Sequence, residues 1–157
     1  MASQIITKFL TFLFFNCFIL TSYSFGKELP LHLLKLPKGF SINIYAKDVP
    51  HARSMNMSNE GTLFIGTRRG GKVYAVRDED GDYVGEKVYT IAQGLNMPNG
   101  VEVINGNLYV AEVNRVLSYE NIERKLRNPP DPKVIYNSYP KDSHHGWKFI
   151  RFGPDGR

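Results

Sequence analysis

The chain has 157 residues, 13% of them aromatic and 22% charged, with a formal net charge of +5. That length can bury a sizeable core, and that composition excludes an intrinsically disordered chain. No Lys/Arg run is longer than Arg68-Arg69, so the clustered basic face of a nucleic-acid binder is missing and no nucleic-acid partner is expected.

Residues 1–26 stand apart. Lys8 is their only charged side chain, and Phe9–Leu20 is a mostly apolar run. Ser22-Tyr23-Ser24 and Ser24-Phe25-Gly26 both place small residues where a signal peptidase cuts. The run falls short of the roughly 20 residues of a membrane span. The reading is a signal peptide over 1–26, a mature chain from 27 to 157, and a periplasmic or secreted product with no membrane association after cleavage. Cys17 is the only cysteine, so neither disulfides nor thiol chemistry are expected in the mature chain.

After the signal, Phe40, Ile42, Ile44 and Ala46 alternate with polar residues, a pattern that predicts a strand. Three similar units follow: Ala52–Gly66, Pro98–Ala111 and Trp147–Arg157. Each carries a short alternating strand and then a turn dipeptide, Glu60-Gly61, Asn105-Gly106 or Asp155-Gly156. The turn glycines lie 45 and 50 residues apart, the spacing of a four-stranded propeller blade of roughly 40–50 residues. Lys72–Val76 and Glu86–Ile91 complete a first blade. Arg115–Tyr119 and Lys133–Tyr136 complete a second, with a short helix expected within Glu120–Leu126. The third unit stops at its turn. The fold class expected is all-β, a β-propeller truncated to about two and a half blades: a fragment of a longer protein, inactive by itself.

The richest chemistry lies in Asp142-Ser-His-His-Gly-Trp-Lys148. A histidine titrates near neutral pH and can take the proton of an alcohol being oxidised. Gly146 would let a ligand approach the backbone, and Trp147 would offer a flat face to a ring or sugar. The repeat aligns this loop with Pro50–Arg53 and Asn96–Asn99, so Arg53, Asn99 and His144 or His145 are expected at one end of the central channel. Thr67–Lys72 sets cations beside glycines and could hold a carboxylate or phosphate, although a tight turn with solvated cations explains it as well. Asp78, Asp80 and Asp82 alternate like calcium ligands but miss the EF-hand pattern. They read as an acidic hairpin turn and are only weak metal candidates; no metal site is expected otherwise.

Taken in order, Leu36–Phe40, Ala52–Met55, Gly66–Ala75, Gly94–Gly100, Leu108–Asn114, His144–Phe149 and Gly153–Gly156 resemble the soluble quinoprotein glucose/sorbosone dehydrogenases, most of all the sorbosone dehydrogenase branch. The resemblance implies a six-bladed propeller with pyrroloquinoline quinone (PQQ) over the channel and calcium supporting it. It implies oxidation of a sugar or sugar-derived alcohol or aldehyde, with an external electron acceptor as a further partner. By local motif the proton-accepting histidine is His144, with Lys148 as the basic residue after it; by spacing back from Gly153 it is His145. Asn99, Lys148, Arg53 and Trp147 become candidate substrate or cofactor contacts. Most PQQ contacts and the calcium ligands fall in blades beyond this chain. Two other classes compete: a non-catalytic propeller module that binds a partner or carbohydrate, and a calcium-dependent propeller lactonase.

Overall fold

The computed structural model describes residues 29–157; the expected signal peptide and Cys17 lie outside the described residues. The chain divides into two units, Met1–Ser41 and Ile42–Arg157. The first contributes one 3-10 turn at Leu31–Leu33. Everything below concerns the second.

Eight strands make two antiparallel sheets, each a simple meander. Strands β1 (Ala52–Met57), β2 (Thr62–Thr67), β3 (Val73–Arg77) and β4 (Lys87–Ala92) form the first. Strands β5 (Gly100–Ile104), β6 (Asn107–Ala111), β7 (Val116–Tyr119) and β8 (Lys133–Tyr136) form the second. These are two propeller blades, bounded within a residue or two of where the alternation places them.

The two innermost hairpins turn by different means. Asn105 and Gly106 both have positive φ, 51° and 74°, between the paired Ile104 and Asn107, which is what a two-residue turn matched to strand twist requires. In the first blade only Gly61 is left-handed, at 82°. There the Ser58 hydroxyl accepts from the amides of Glu60 (3.2 Å) and Thr62 (3.1 Å) and closes a longer turn.

The core lies between the blades. Phe64, Val73, Ala75 and Ile91 from the first sheet meet Val101, Leu108, Val110, Leu117 and Tyr119 from the second. Alternation then sends Ile65, Tyr74 and Val76 to the opposite face of the first blade, where Tyr45, Ala46 and Val49 cover them. Buried polar groups bridge the seam. The Thr62 hydroxyl donates to Glu123 at 2.6 Å, and the Asn56 amide donates to Glu102 at 2.7 Å.

Three expectations are corrected. Phe40–Ala46 is not a strand: among the described residues no strand pairs with it, Phe40 and Ile42 are exposed, and only the consecutive Tyr45 and Ala46 dock on a sheet face. Trp147–Phe152 is not a strand either. With no ladder partner among the described residues, it lies over the second blade as extended cover. Its anchors are the Arg151–Glu102 ion pair at 3.5 Å and the edge-to-face contact of Phe152 with Tyr109 at 5.0 Å. The helix expected in Glu120–Leu126 is a single 3-10 turn, Ile122–Arg124, because Asn121 enters it left-handed at φ 50° and the prolines follow closely.

Tyr119 lies in the seam with 2% of its surface exposed. Burial, reinforced by the charge of Glu112, pushes its phenol up to about 12. The fold holds the neutral phenol, so this stabilisation is complete below pH 10 and is lost as pH rises toward 12. Raising the pH from 8 to 11 should cost about 1 kcal/mol through this group. In Tyr119→Phe that part of the alkaline loss disappears, as urea midpoints at the two pH values will read.

Candidate functional site

The meander determines which residues share an end. Strand β1 starts at Ala52 and β2 returns to Thr67, and these two residues are paired. The loop before β5 and the loop after β6 lie at the same end of the second blade. Arg53, Arg68, Arg69 and Asn99 therefore sit together at one end, while the turns at Gly61, Gly106 and Asp78–Gly85 sit at the other.

Backbone conformation repeats across the three units. His51, Met97 and His145 are left-handed, at φ 63°, 51° and 55°. Two residues after each comes Arg53, Asn99 or Trp147. The three units thus share a local bend that aims the entry of each inner segment, and it carries a different candidate side chain in each.

Trp147 is the hub. The Arg68 guanidinium carbon stands 3.5 Å from its ring centroid and that of Arg53 stands 5.5 Å away. The His145 ring lies 5.2 Å from the indole at 34°, and His144 packs edge-on against His145 at 4.4 Å. Two cations and two imidazoles are strung around one half-buried indole, with both histidines exposed. Gly146 makes the bend possible. A Cβ there would meet the Asp142 carbonyl oxygen at 1.9 Å, so the space expected for a ligand is filled by the loop's own backbone.

Asn99 and Lys148 turn inward. Asn99 is fully buried, and its amide donates to the Lys148 carbonyl at 3.0 Å, tying the second unit to the third. Its Oδ1 has no hydrogen-bond partner among the described residues. The Lys148 ammonium donates to the Gly146 carbonyl at 2.8 Å and stands 5.1 Å from the Tyr139 ring. Both side chains hold the histidine loop in place.

Beside Trp147 a recess of about 180 Å³ is lined by His51, Ala52, Arg53, Arg68 and Arg69. No carboxylate among the described residues lines it, and the buried Nε of Arg68 has no hydrogen-bond partner among them. A larger recess of about 760 Å³ between Arg77 and Asn128 has walls of both charge signs and lies at the far end. Of the two, only the small one adjoins the histidines.

Asp78, Asp80 and Asp82 do converge, joined by Glu86, with carboxylate oxygens within 4.8 Å of one another. Four carboxylates suit a hard cation in chemistry. Yet backbone amides already use them: Gly81 and Tyr83 donate to Asp78 at 2.7 and 2.9 Å, and Val84 to Asp82 at 2.7 Å. The cluster lies a strand's length from the histidines, ~15 Å at 3.3 Å per residue, and cannot support a cofactor beside them.

The Thr67–Lys72 turn, expected either to hold a carboxylate or phosphate or to be a tight turn with solvated cations, brings Arg68 and Arg69 to this recess; His51 on its wall and Glu86 in the acidic cluster were not expected there. The signal for Arg68 lay in the hairpin: if β1 begins the blade, the residue just past the end of β2 must return to the same rim.

No family model matches this chain. It is similar to an uncharacterized protein of Borreliella burgdorferi, 24% identical over 110 residues, which cover 69% of this chain and 27% of that one. Among solved structures it is similar to the holo form of the PQQ domain of pyranose dehydrogenase from Coprinopsis cinerea. The TM-score is 0.59 at 10% identity, over 69% of this chain and 26% of that one. That likeness shows the fold. The chain spans about a quarter of the length of each. Among the described residues no helix is long and apolar enough to cross a membrane.

A guanidinium stacked on an indole contributes about 1 kcal/mol. Trp147 is the only tryptophan, so its fluorescence reports on this stack alone. Arg68→Ala should shift the emission to longer wavelength, raise acrylamide quenching and lower the thermal unfolding midpoint by about 4 °C, as a loss of about 1 kcal/mol requires. Unchanged emission would mean that the stack does not form in solution.

Proposed function

We propose that the protein to which these blades belong oxidises a sugar or sugar-derived alcohol or aldehyde with PQQ as the immediate oxidant, and that it is exported. One observation carries this reading: a pair of exposed histidines, His145 packed on Trp147 and His144 on His145, beside a cationic recess that no carboxylate lines. The likeness in fold to a PQQ domain supports it, as do the strings shared with the glucose/sorbosone dehydrogenases. The sorbosone-type substrate is the finer part of the proposal and rests on those strings alone.

PQQ is a flat, polyanionic quinone, and when bound it supplies the two-electron acceptor for a hydride. The residues here suit its flank. Arg53, on the inner strand β1, matches its charge, and the partly open edge of Trp147 matches its shape. The acidic cluster at the opposite end does not suit the calcium that supports it, so that ion must be held by other blades.

The work left to this chain is proton handling. His144 accepts the hydroxyl proton as the C–H hydride departs, so the alcohol becomes a carbonyl and the imidazole an imidazolium. His145, held left-handed between His144 and Trp147, fixes the direction in which His144 presents its ring. Arg68 and Lys148 act one step further out, on Trp147 and on the loop backbone.

Sugar-dependent dye reduction should be measured in the complete protein reconstituted with PQQ and calcium. His144→Ala should lower turnover by roughly a hundredfold or more, the usual weight of a general base. PQQ affinity, read from quinone absorbance, should stay within about twofold, since a general base acts on the substrate proton. If neither His144→Ala nor His145→Ala slows turnover, the histidine pair is not the base and the non-catalytic binding module becomes the better reading.

A further inference from the structure

We infer that the recess between His51 and the Arg68-Arg69 turn is a carboxylate subsite for the substrate, and that the substrate class is therefore a sugar acid in place of the neutral, sorbosone-type sugar that the resemblance alone suggests. This inference rests on the dehydrogenase reading above for the word substrate, but not for the subsite itself.

The recess measures about 180 Å³. Sites that enclose a whole drug-sized ligand measure roughly 300–1,000 Å³, so this one holds a head group and leaves the rest of its ligand outside. Its walls carry three guanidinium side chains and an imidazole, with no acid among them. Arginine presents a planar fork of donors that matches a carboxylate with two parallel hydrogen bonds. One such donor, Arg68 Nε, is buried and has no partner among the described residues. An unmet buried donor is costly unless something occupies it, and on the recess wall only backbone carbonyls and the His51 imidazole could accept from it. Two turns hold the shape. Thr67 Oγ1 donates to the Lys72 carbonyl at 2.7 Å and accepts from the Lys72 amide at 3.0 Å, which closes the Arg68-Arg69 loop. His51 is left-handed directly before β1.

The position decides the role. The guanidinium of Arg68 stacks on the same indole that His145 adjoins. A ring lying along Trp147 with its carboxylate in the recess would point its hydroxyls toward the histidine pair. A neutral sugar leaves the recess without a counter-charge.

The test uses Trp147 emission from the full chain as the binding signal, titrated with D-glucuronate, D-glucose and acetate. The expected result is saturable binding of glucuronate at least tenfold tighter than of glucose or acetate. Arg69→Gln, an exposed position, should weaken glucuronate about tenfold and leave glucose unchanged, while Arg68→Lys, which keeps charge but loses the fork, should weaken it too. Equal affinity for glucuronate and glucose would overturn the inference. So would equal affinity for glucuronate and acetate, or glucuronate binding that ignores Arg69→Gln. A second arm adds PQQ and follows bound glucuronate by equilibrium dialysis. Displacement of glucuronate by PQQ would assign the recess to the quinone's own carboxylate and overturn the substrate assignment; binding of both together would support it. A complete protein that binds glucuronate but no PQQ would keep the carboxylate subsite and sink the dehydrogenase reading alone.

Discussion

Phe64, Val73 and Ala75 from one sheet and Leu108, Val110 and Leu117 from the next share a single dry layer, and the placement of every candidate site residue follows from it. Neither blade has enough apolar surface of its own to be stable, since a lone meander of four strands buries one face at most. Packing the two face to face supplies that burial and fixes their stagger. Gly66 shows how tight the fit is. A Cβ there would stand 2.2 Å from the Asn99 carbonyl oxygen, and the Thr67 amide donates to Pro98 at 2.9 Å. The end of β2 and the entry to β5 therefore meet backbone to backbone. Arg68, which follows β2, and Asn99, which precedes β5, occupy one rim as a result.

The same seam separates two chemistries. At the rim formed by strand starts, cations and imidazoles collect around Trp147 with no carboxylate lining the recess beside it. At the rim formed by the turns, Asp78, Asp80, Asp82 and Glu86 gather. A strand's length of low-dielectric sheet lies between them, and exposed charges at that distance are largely screened in physiological salt. Neither cluster perturbs the other, so the cationic rim can attract anions although the turn below it is strongly acidic. Glu112 lies near the boundary and is 1% exposed. Its carboxylate is used by the Asn96 amide at 2.6 Å and by Arg115, so it anchors the Gly94–Asn99 loop and adds no free negative charge to the rim.

The repeat was legible because turn chemistry is local. Asn105-Gly106 requires two left-handed residues and has them, and from the turn glycines the eight strands fall into place within a residue or two. Phe40–Ala46 and Trp147–Phe152 alternate without being strands: Phe40 and Ile42 are exposed and mark no buried face, while Trp147–Phe152 is a segment docked over a sheet. A sheet face covered by a docked segment imposes the same period as a ladder, and whether a partner strand stands alongside is non-local. The site was half legible for the same reason. Arg53, Asn99 and Trp147 could be aligned by counting back from the turns, but the direction of each side chain could not. Asn99 spends its amide on the Lys148 carbonyl, and Lys148 turns back to Gly146, because the loop they stabilise carries a left-handed His145 that has to be held. The Arg68-Arg69 turn could be read as a possible anion holder, but its place beside Trp147 depends on hairpin closure and not on any motif of its own.

That left-handed His145 is the point at which stability and function pull against each other. A non-glycine residue in this region carries a conformational cost of about 1 kcal/mol or more, and Gly146 beside it has no room for a side chain. A plain turn at this position would need neither feature. The bend is held by Asn99 from below, by Lys148 from within and by the Arg68–Trp147 stack from the side, so three separate elements converge on two imidazoles that themselves bury little surface. Apolar packing does not explain that investment, since His144 and His145 are both exposed. The left-handed conformation itself recurs at His51 and Met97, so it belongs to the entry of each inner segment, and what is particular to the third unit is the set of contacts from Asn99, Lys148 and Arg68 that hold it.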